Sequence, residues 1–150
     1  MYRARVFASK HARGYEAVYK ASSPLILSSL KIIDKLTKGK LDKPITWLEK
    51  QIKGVLFDCQ MCGNCVLSTT GMTCPMNCPK TLRNGPCGGV RENGNCEVKP
   101  EMRCVWVDAW SGSKKMKNNL EIQEIQFAVN NEHLGTSAWI RLSKENNQNN

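Results

Sequence analysis

Cys59, Cys62 and Cys65, spaced three residues apart, open a string of eight cysteines that closes at Cys104. The full pattern is Cys59-x2-Cys62-x2-Cys65-x8-Cys74-x3-Cys78-x8-Cys87-x8-Cys96-x7-Cys104. Thiolates bind soft metals, and the opening triplet is the tripod that wraps three corners of a cubane iron–sulfur cluster. The fourth ligand of such a cluster comes from elsewhere in the chain. Cys78-Pro79 matches another habit of these sites, a remote ligand followed by proline. Glycines at 63, 71, 85, 88, 89 and 94 suit backbone that must approach inorganic sulfide closely, often at positive φ.

Zinc is the rival. A four-cysteine zinc site usually presents two short knuckles separated by a spacer. Only Cys59/Cys62, Cys62/Cys65 and Cys74/Cys78 have knuckle spacing, whereas Cys87, Cys96 and Cys104 stand alone and no histidine lies among them. The triplet favours iron. Eight ligands divide into two [4Fe-4S] sites, but one [4Fe-4S] plus one zinc uses the same number, and zinc only, or disulfides and idle thiols, stay open. In every reading but the last, the metal ligands are Cys59, Cys62, Cys65, Cys74, Cys78, Cys87, Cys96 and Cys104.

The segment that carries them cannot hold itself together. Residues 59–104 contain six of the eleven glycines and four of the six prolines, and no Phe, Tyr, Trp, Ile or His. Such a stretch buries too little apolar surface to offset the entropy of ordering its backbone. Metal bonds would supply what a core does not. The expected fold is therefore a small, irregular, metal-stabilised cysteine-rich domain, α plus loops with little sheet. It would carry an N-terminal helical arm and an extended C-terminal tail.

Three regions follow: 1–57, a basic helical arm; 58–110, the metal domain; 111–150, a linker and partner-docking tail. In the arm, Ser22-Ser23-Pro24 reads as a helix start with proline at its first position. Leu27, Leu30, Ile33 and Leu36 recur at helical spacing, with Lys31, Asp34, Lys35 and Lys38 opposite, and Gly39 as a stop. A second helix begins near Pro44 and passes through Trp47, Leu48, Ile52 and Leu56, delivering the chain to Cys59. The pair reads as an amphipathic hairpin packed on the metal region. Val105, Trp106, Val107 and Trp110 could cap that region, and Ser111-Gly112-Ser113 with the following Lys/Asn run reads as a linker. The later apolar residues, Ile122 to Leu142, either dock on a partner or fold back on their own domain, and residues 147–150 should be disordered.

Charge and composition narrow the classes. The net charge of +9 belongs to the first 57 residues, which hold twelve Lys/Arg against four Asp/Glu, while residues 58–110 hold five of each. A basic arm beside a cluster favours an acidic partner, or is simply a solvated face. Nucleic acid is not an expected partner, because the near-neutral cysteine region has no aromatic to stack on bases. No stretch approaches the ~20 apolar residues of a membrane span. The basic first fifteen residues read as mature protein rather than a transit peptide, and no secretory signal stands out. The expected location is cytoplasmic, where dense cysteine means metal. His11 and His133 lack catalytic neighbours and read as ordinary histidines, and Asn84-Gly85-Pro86-Cys87-Gly88-Gly89 reads as a cluster-wrapping turn rather than a phosphate loop. Lys80, Arg83 and Arg91 lie among the ligands as charge balance or as donors to sulfide.

The run Cys74-Pro-Met-Asn-Cys78-Pro-Lys-Thr-Leu-Arg-Asn-Gly-Pro-Cys87-Gly-Gly, followed by Cys96-Glu-Val-Lys-Pro and Cys104-Val-Trp, resembles the cysteine-rich methylenetetrahydrofolate reductase C-terminal family. Phe57-Asp-Cys59-Gln-Met-Cys62-Gly-Asn-Cys65 is similar to the start of that domain, and the likeness covers about residues 45–110. The resemblance implies a small partner, fused or separate, of the flavin-containing barrel that reduces methylenetetrahydrofolate. Members of this kind look like electron-input subunits, with ferredoxin or flavodoxin as donor and the flavin on the partner. At 150 residues the chain is too short for such a barrel, which needs ~200 or more. It is thus expected to be non-catalytic alone, with a structural zinc module that docks on the reductase as the alternative.

Overall fold

The structure is a computed structural model that describes residues 2–37 and 39–148. Five α-helices frame the cysteine segment: α1 (Tyr2–Lys10), α2 (Ala12–Thr37), α3 (Asp42–Phe57), α4 (Val105–Ser113) and α5 (Ala138–Gln148). Between α3 and α4 the only helical element is a 3-10 turn, Pro75–Asn77; two more turns, Asn119–Gln123 and Asn131–His133, precede α5. Among the described residues there is no named strand, only isolated bridges between Val90 and Cys96 and between Asn95 and Arg103. The mostly helical, cysteine-rich architecture with little sheet agrees with the expectation.

Helix α2 departs from it. It starts at Ala12 and runs through Pro24 without a break. Proline removes the amide that would bond the Lys20 carbonyl. Both residues are exposed, so water can satisfy that carbonyl, and the Ser22 hydroxyl bonds the neighbouring Tyr19 carbonyl at 3.4 Å. The helix ends at Thr37, just before Gly39, whose φ of 80° lies in the left-handed region. Lys38 lies outside the described residues.

Helix α3 places Pro44 in its first turn, where amides have no intrahelical partner. Its end aims the metal segment. Asp58 adopts a left-handed φ of 54°, its N–H bonds Gly54 O, and the Cys59 N–H bonds Lys53 O at 3.3 Å. This left-handed cap, with the Asp58 N–H bonded four residues back and the Cys59 N–H six back, turns the chain at the helix end and sets Cys59 back toward it.

Helices α2 and α3 do not form the expected close hairpin. Instead α5 packs on both, while α1 packs on α3 and α4. The tail thus folds back on its own chain, and Ser111–Ser113 form the last turn of α4 rather than a linker. The expected disordered end meets a helix through Gln148, and Asn149 and Asn150 lie outside the described residues.

The core gathers Ala8 and Ala12, Phe57, Leu67, Met72, Cys74 and Met116, with Tyr15, Tyr19 and Cys65 packed against it. Gly71 and Gly112 let the cysteine loop and α4 touch: a side chain at Gly71 would strike Ala109 O and Ser113 N, and its φ is 61°. Arg5, 1% exposed, crosses from α1 to α4, where it faces Asp108 at 3.5 Å and bonds Arg103 O at 3.2 Å.

Candidate metal centre

The eight cysteines sort into two fours around separate cavities. Cys59, Cys62, Cys65 and Cys74 line the first, and Cys78, Cys87, Cys96 and Cys104 line the second. Each is small, ≈ 20 Å³. No cysteine is in a disulfide. Cys74 and Cys78, which sequence would pair as one knuckle, serve different cavities because the Pro75–Asn77 turn lies between them.

The first cavity lies in the protein's interior. Cys62 and Cys74 are buried. The Met61 N–H points at the Cys59 sulfur at 3.4 Å, from a residue in the left-handed region at φ 48°. Gly63, at φ 71°, sits where any side chain would run into His133 and Thr136, so the C-terminal segment closes directly over the ligand loop. Gly135 N bonds Met61 O at 2.8 Å and the Arg141 guanidinium bonds Gly63 O at 3.0 Å, fastening that closure.

Arg83 is buried and joins three segments. Its Nη1 lies 3.8 Å from the Cys62 sulfur, its Nη2 bonds Asn64 O at 3.2 Å, and its Nε bonds Phe127 O at 3.1 Å. Asn84 clamps the same outer strap, exchanging two hydrogen bonds with the Gln126 backbone at 2.6 and 2.9 Å.

A buried ion pair forms another wall of the first cavity. Lys53 Nζ lies 2.5 Å from Glu49 Oε1 and 4.6 Å from the Trp139 ring centre, and the Ser137 hydroxyl donates to Glu49 Oε2. Burial works against the Lys53 charge, but Cys65 and Glu49 outweigh it and raise its pKa. Among the thiols, the hydrogen bond with Cys74 and the Met61 N–H, against burial, hold Cys59 down to about 6. That same bond, together with burial, pushes Cys74 well up, and burial raises Cys65.

The second cavity is nearer the surface. Cys87 is exposed, the Gly89 N–H faces its sulfur at 3.4 Å, and the Glu97 carboxylate, packed against Gly89, lies 3.5 Å from the same sulfur. Lys80 pairs with Glu97, which lowers the Glu97 pKa. Of the four apolar residues expected to cap the cysteine region, Val105 and Trp106 of α4 line this cavity, with the Trp106 indole donating to Leu82 O at 3.1 Å, while Val107 and Trp110 line a separate hollow against Ile122 and Ile125. Of the three cations marked from sequence, Arg83 reaches a sulfur and Lys80 lines the second cavity. Arg91 contributes a backbone turn with Asn95. His11 and His133 line neither cavity.

Glu49, Lys53 and Glu97 were not anticipated. The only signal was the i, i+4 spacing of Glu49 and Lys53 just ahead of Cys59, a pattern that ordinarily marks a solvated helix face.

Among the described residues, no group of three or more His, Cys, Asp or Glu side chains converges as the ligands of one metal ion. The donor chemistry nonetheless suits iron–sulfur clusters: four thiols to a cavity, no imidazole, nearby carboxylates engaged by lysines, and amides directed at sulfur.

These features define a class, a helix-framed cysteine-rich domain with two four-thiol cavities. The methylene-tetrahydrofolate reductase C-terminal family profile matches residues 39–132, and the chain belongs to that family. The match takes in α3, both cavities' cysteines and α4, and extends beyond the likeness read from the motifs. No curated protein and no solved structure matches the chain.

Proposed function

We propose that this chain is the iron–sulfur electron-transfer subunit of a methylenetetrahydrofolate reductase, relaying electrons to the flavin of a separate barrel-type catalytic subunit. The observation that carries the reading is the four-and-four sorting of the cysteines. Family membership supplies the reductase context.

Two [4Fe-4S] clusters would be held by Cys59, Cys62, Cys65 and Cys74 and by Cys78, Cys87, Cys96 and Cys104. Bound there, each would accept and release one electron at a time. The residues of this chain tune that chemistry. The Met61 and Gly89 amides and the Arg83 guanidinium place positive dipoles or charge against ligand sulfur, which favours the reduced form. Trp106 and Val105 at the second site, and Ala138 at the first, limit water. The exposed position of Cys87 gives the second site a short route to an external donor such as ferredoxin or flavodoxin. No described helix is long and apolar enough to cross a membrane, and a cytoplasmic location follows from the reduced thiols the reading requires.

Iron, zinc and acid-labile sulfide per chain, measured after anaerobic purification, test the proposal. About eight iron and eight sulfide are expected. Zinc alone would replace it with a structural module that docks on the reductase. In the reconstituted complex, Cys62→Ser with Cys65→Ser should abolish folate reduction by the external donor, and unchanged activity would refute the relay.

A further inference from the structure

Helices α2 and α3 are consecutive, yet α5 separates them over only part of their length. Beyond the start of α5 the gap is open, leaving a groove of ≈ 540 Å³. Tyr15, Tyr19 and Ile26 of α2 face Ile52 and Leu56 of α3 across it, with Trp139 of α5 at one end. Val18 on its rim is 67% exposed. From Tyr15 to Ile26 the helix rises about 16 Å, roughly three turns. Helix α5 itself packs on both α2 and α3, with Lys144 reaching Asp34 of α2 and Asp42 of α3, so this pair of helices already receives one helix of the chain.

The exposed, unpaired charges that adjoin the groove's lining at the α1–α2 end are basic. All four acids of the first 57 residues are committed within the chain: Glu16 to Lys20, Asp34 and Asp42 to Lys144, and Glu49 to Lys53. Among the described residues, Lys10 and Arg13, both exposed, are in no such ion pair, whereas Lys50 lines a separate hollow with Asp42 and Lys144. Lys10 and Arg13 adjoin the groove-lining His11 and Gly14. A second copy would bring the same positive face against this one, which disfavours self-pairing. An occupant with an apolar stripe and carboxylate flanks satisfies both the groove and its surroundings.

We propose that this groove docks an acidic amphipathic helix, about three turns long, of the flavin-bearing reductase subunit. The inference rests on the functional reading above for the partner's identity, and on the groove alone for its chemistry. Lys53 lines both the groove and the first cysteine cavity, so the docked helix lies one side chain from Cys59, Cys62, Cys65 and Cys74. The interface and the first metal site then share a wall.

The test uses the full chain, purified anaerobically, with two synthetic twelve-residue helical peptides that share a leucine stripe and carry either Glu or Lys elsewhere. Fluorescence anisotropy should show binding of the Glu peptide only, weakened about tenfold between 50 and 500 mM salt. Val18→Glu should weaken it at least tenfold, while Leu36→Glu, exposed on α2 but outside the groove, should leave it unchanged. The flavin-bearing subunit should form a complex with the same dependence on Val18. Equal binding of both peptides, binding of neither, or indifference to Val18→Glu overturns the proposal. So does a dimer by light scattering that Val18→Glu dissolves, which would assign the groove to a second copy. Iron and sulfide assays on the same samples separate the two readings: a zinc-only chain that still binds the Glu peptide would refute the relay and keep the groove.

Discussion

Cys74 and Cys78 provide the sharpest test of how the ligands are divided. Their spacing suits a single knuckle, but the Pro75–Asn77 turn sends one to each cavity. Replacing two ligands of one site with alanine should empty that site and spare the other. Cys62→Ala with Cys74→Ala should therefore halve the metal, to about four iron and four sulfide, if each four-thiol set holds one cubane. Cys78→Ala with Cys96→Ala should also halve it, removing the other half. Cys74→Ala with Cys78→Ala takes one ligand from each set and should perturb both centres at once. The assay is iron and sulfide content with spin quantitation of the dithionite-reduced protein by electron paramagnetic resonance. The first two variants should each keep one undisturbed signal, and the two signals should differ. If Cys62/Cys74 and Cys78/Cys96 variants lose the same signal, or if Cys74/Cys78 leaves one centre intact, the cysteines do not divide four and four in this way.

Other consequences are more local. Loss of the second set should expose residues 78–104 to protease while the helices persist, because two isolated bridges are the only sheet-like pairing in that loop; limited proteolysis with far-ultraviolet dichroism would show it. Arg5→Met removes one of the two guanidinium groups beside the buried Asp108 carboxylate, leaving Arg103 Nε at 2.6 Å, together with the bond to Arg103 O, and should cost about 1.5–3 kcal/mol in urea unfolding. Gly71→Ala should cost more than about 2 kcal/mol by the same measurement, since its φ and its contact with α4 both reject a methyl group. Glu16 carries the pH signature. Burial opposes its charge, but Lys20 and the Lys117 N–H outweigh burial and hold its pKa below the ordinary value. Its contribution is thus complete above the usual glutamate range of about 4.3 and fades as pH falls through the lowered folded value. Glu16→Gln should cost about 1–2 kcal/mol at pH 7, with the difference from wild type shrinking toward pH 3.

Much of this was legible from local chemistry. The cysteine string marked the ligand segment, its poverty in large apolar residues marked the lack of helix, and Pro44 with the apolar spacing after it located α3. Pro24 misled because proline rules weigh the lost amide, whereas the freed Lys20 carbonyl lies on an exposed face. The return of α5 and the division of the ligands were not readable, since both depend on contacts between distant segments. Gly63 meets His133 and Thr136 only after the chain has doubled back. Lys53 looked like a surface lysine until Trp139 and Ser137 of that returning segment closed over it and its partner.

That closure imposes an order on biosynthesis. Thr136 and Ala138 form part of the wall around Cys59, Cys62, Cys65 and Cys74, yet they are translated long after those cysteines have left the ribosome. While synthesis continues, the thiols stand ready with one side of their chamber missing. Were iron and sulfide delivered to the first site, as proposed above, the donor would meet an open face only until α5 settles against α2. The second site, with Cys87 on the surface, stays reachable after release. Filling of the interior cavity would then be timed by the arrival of α5.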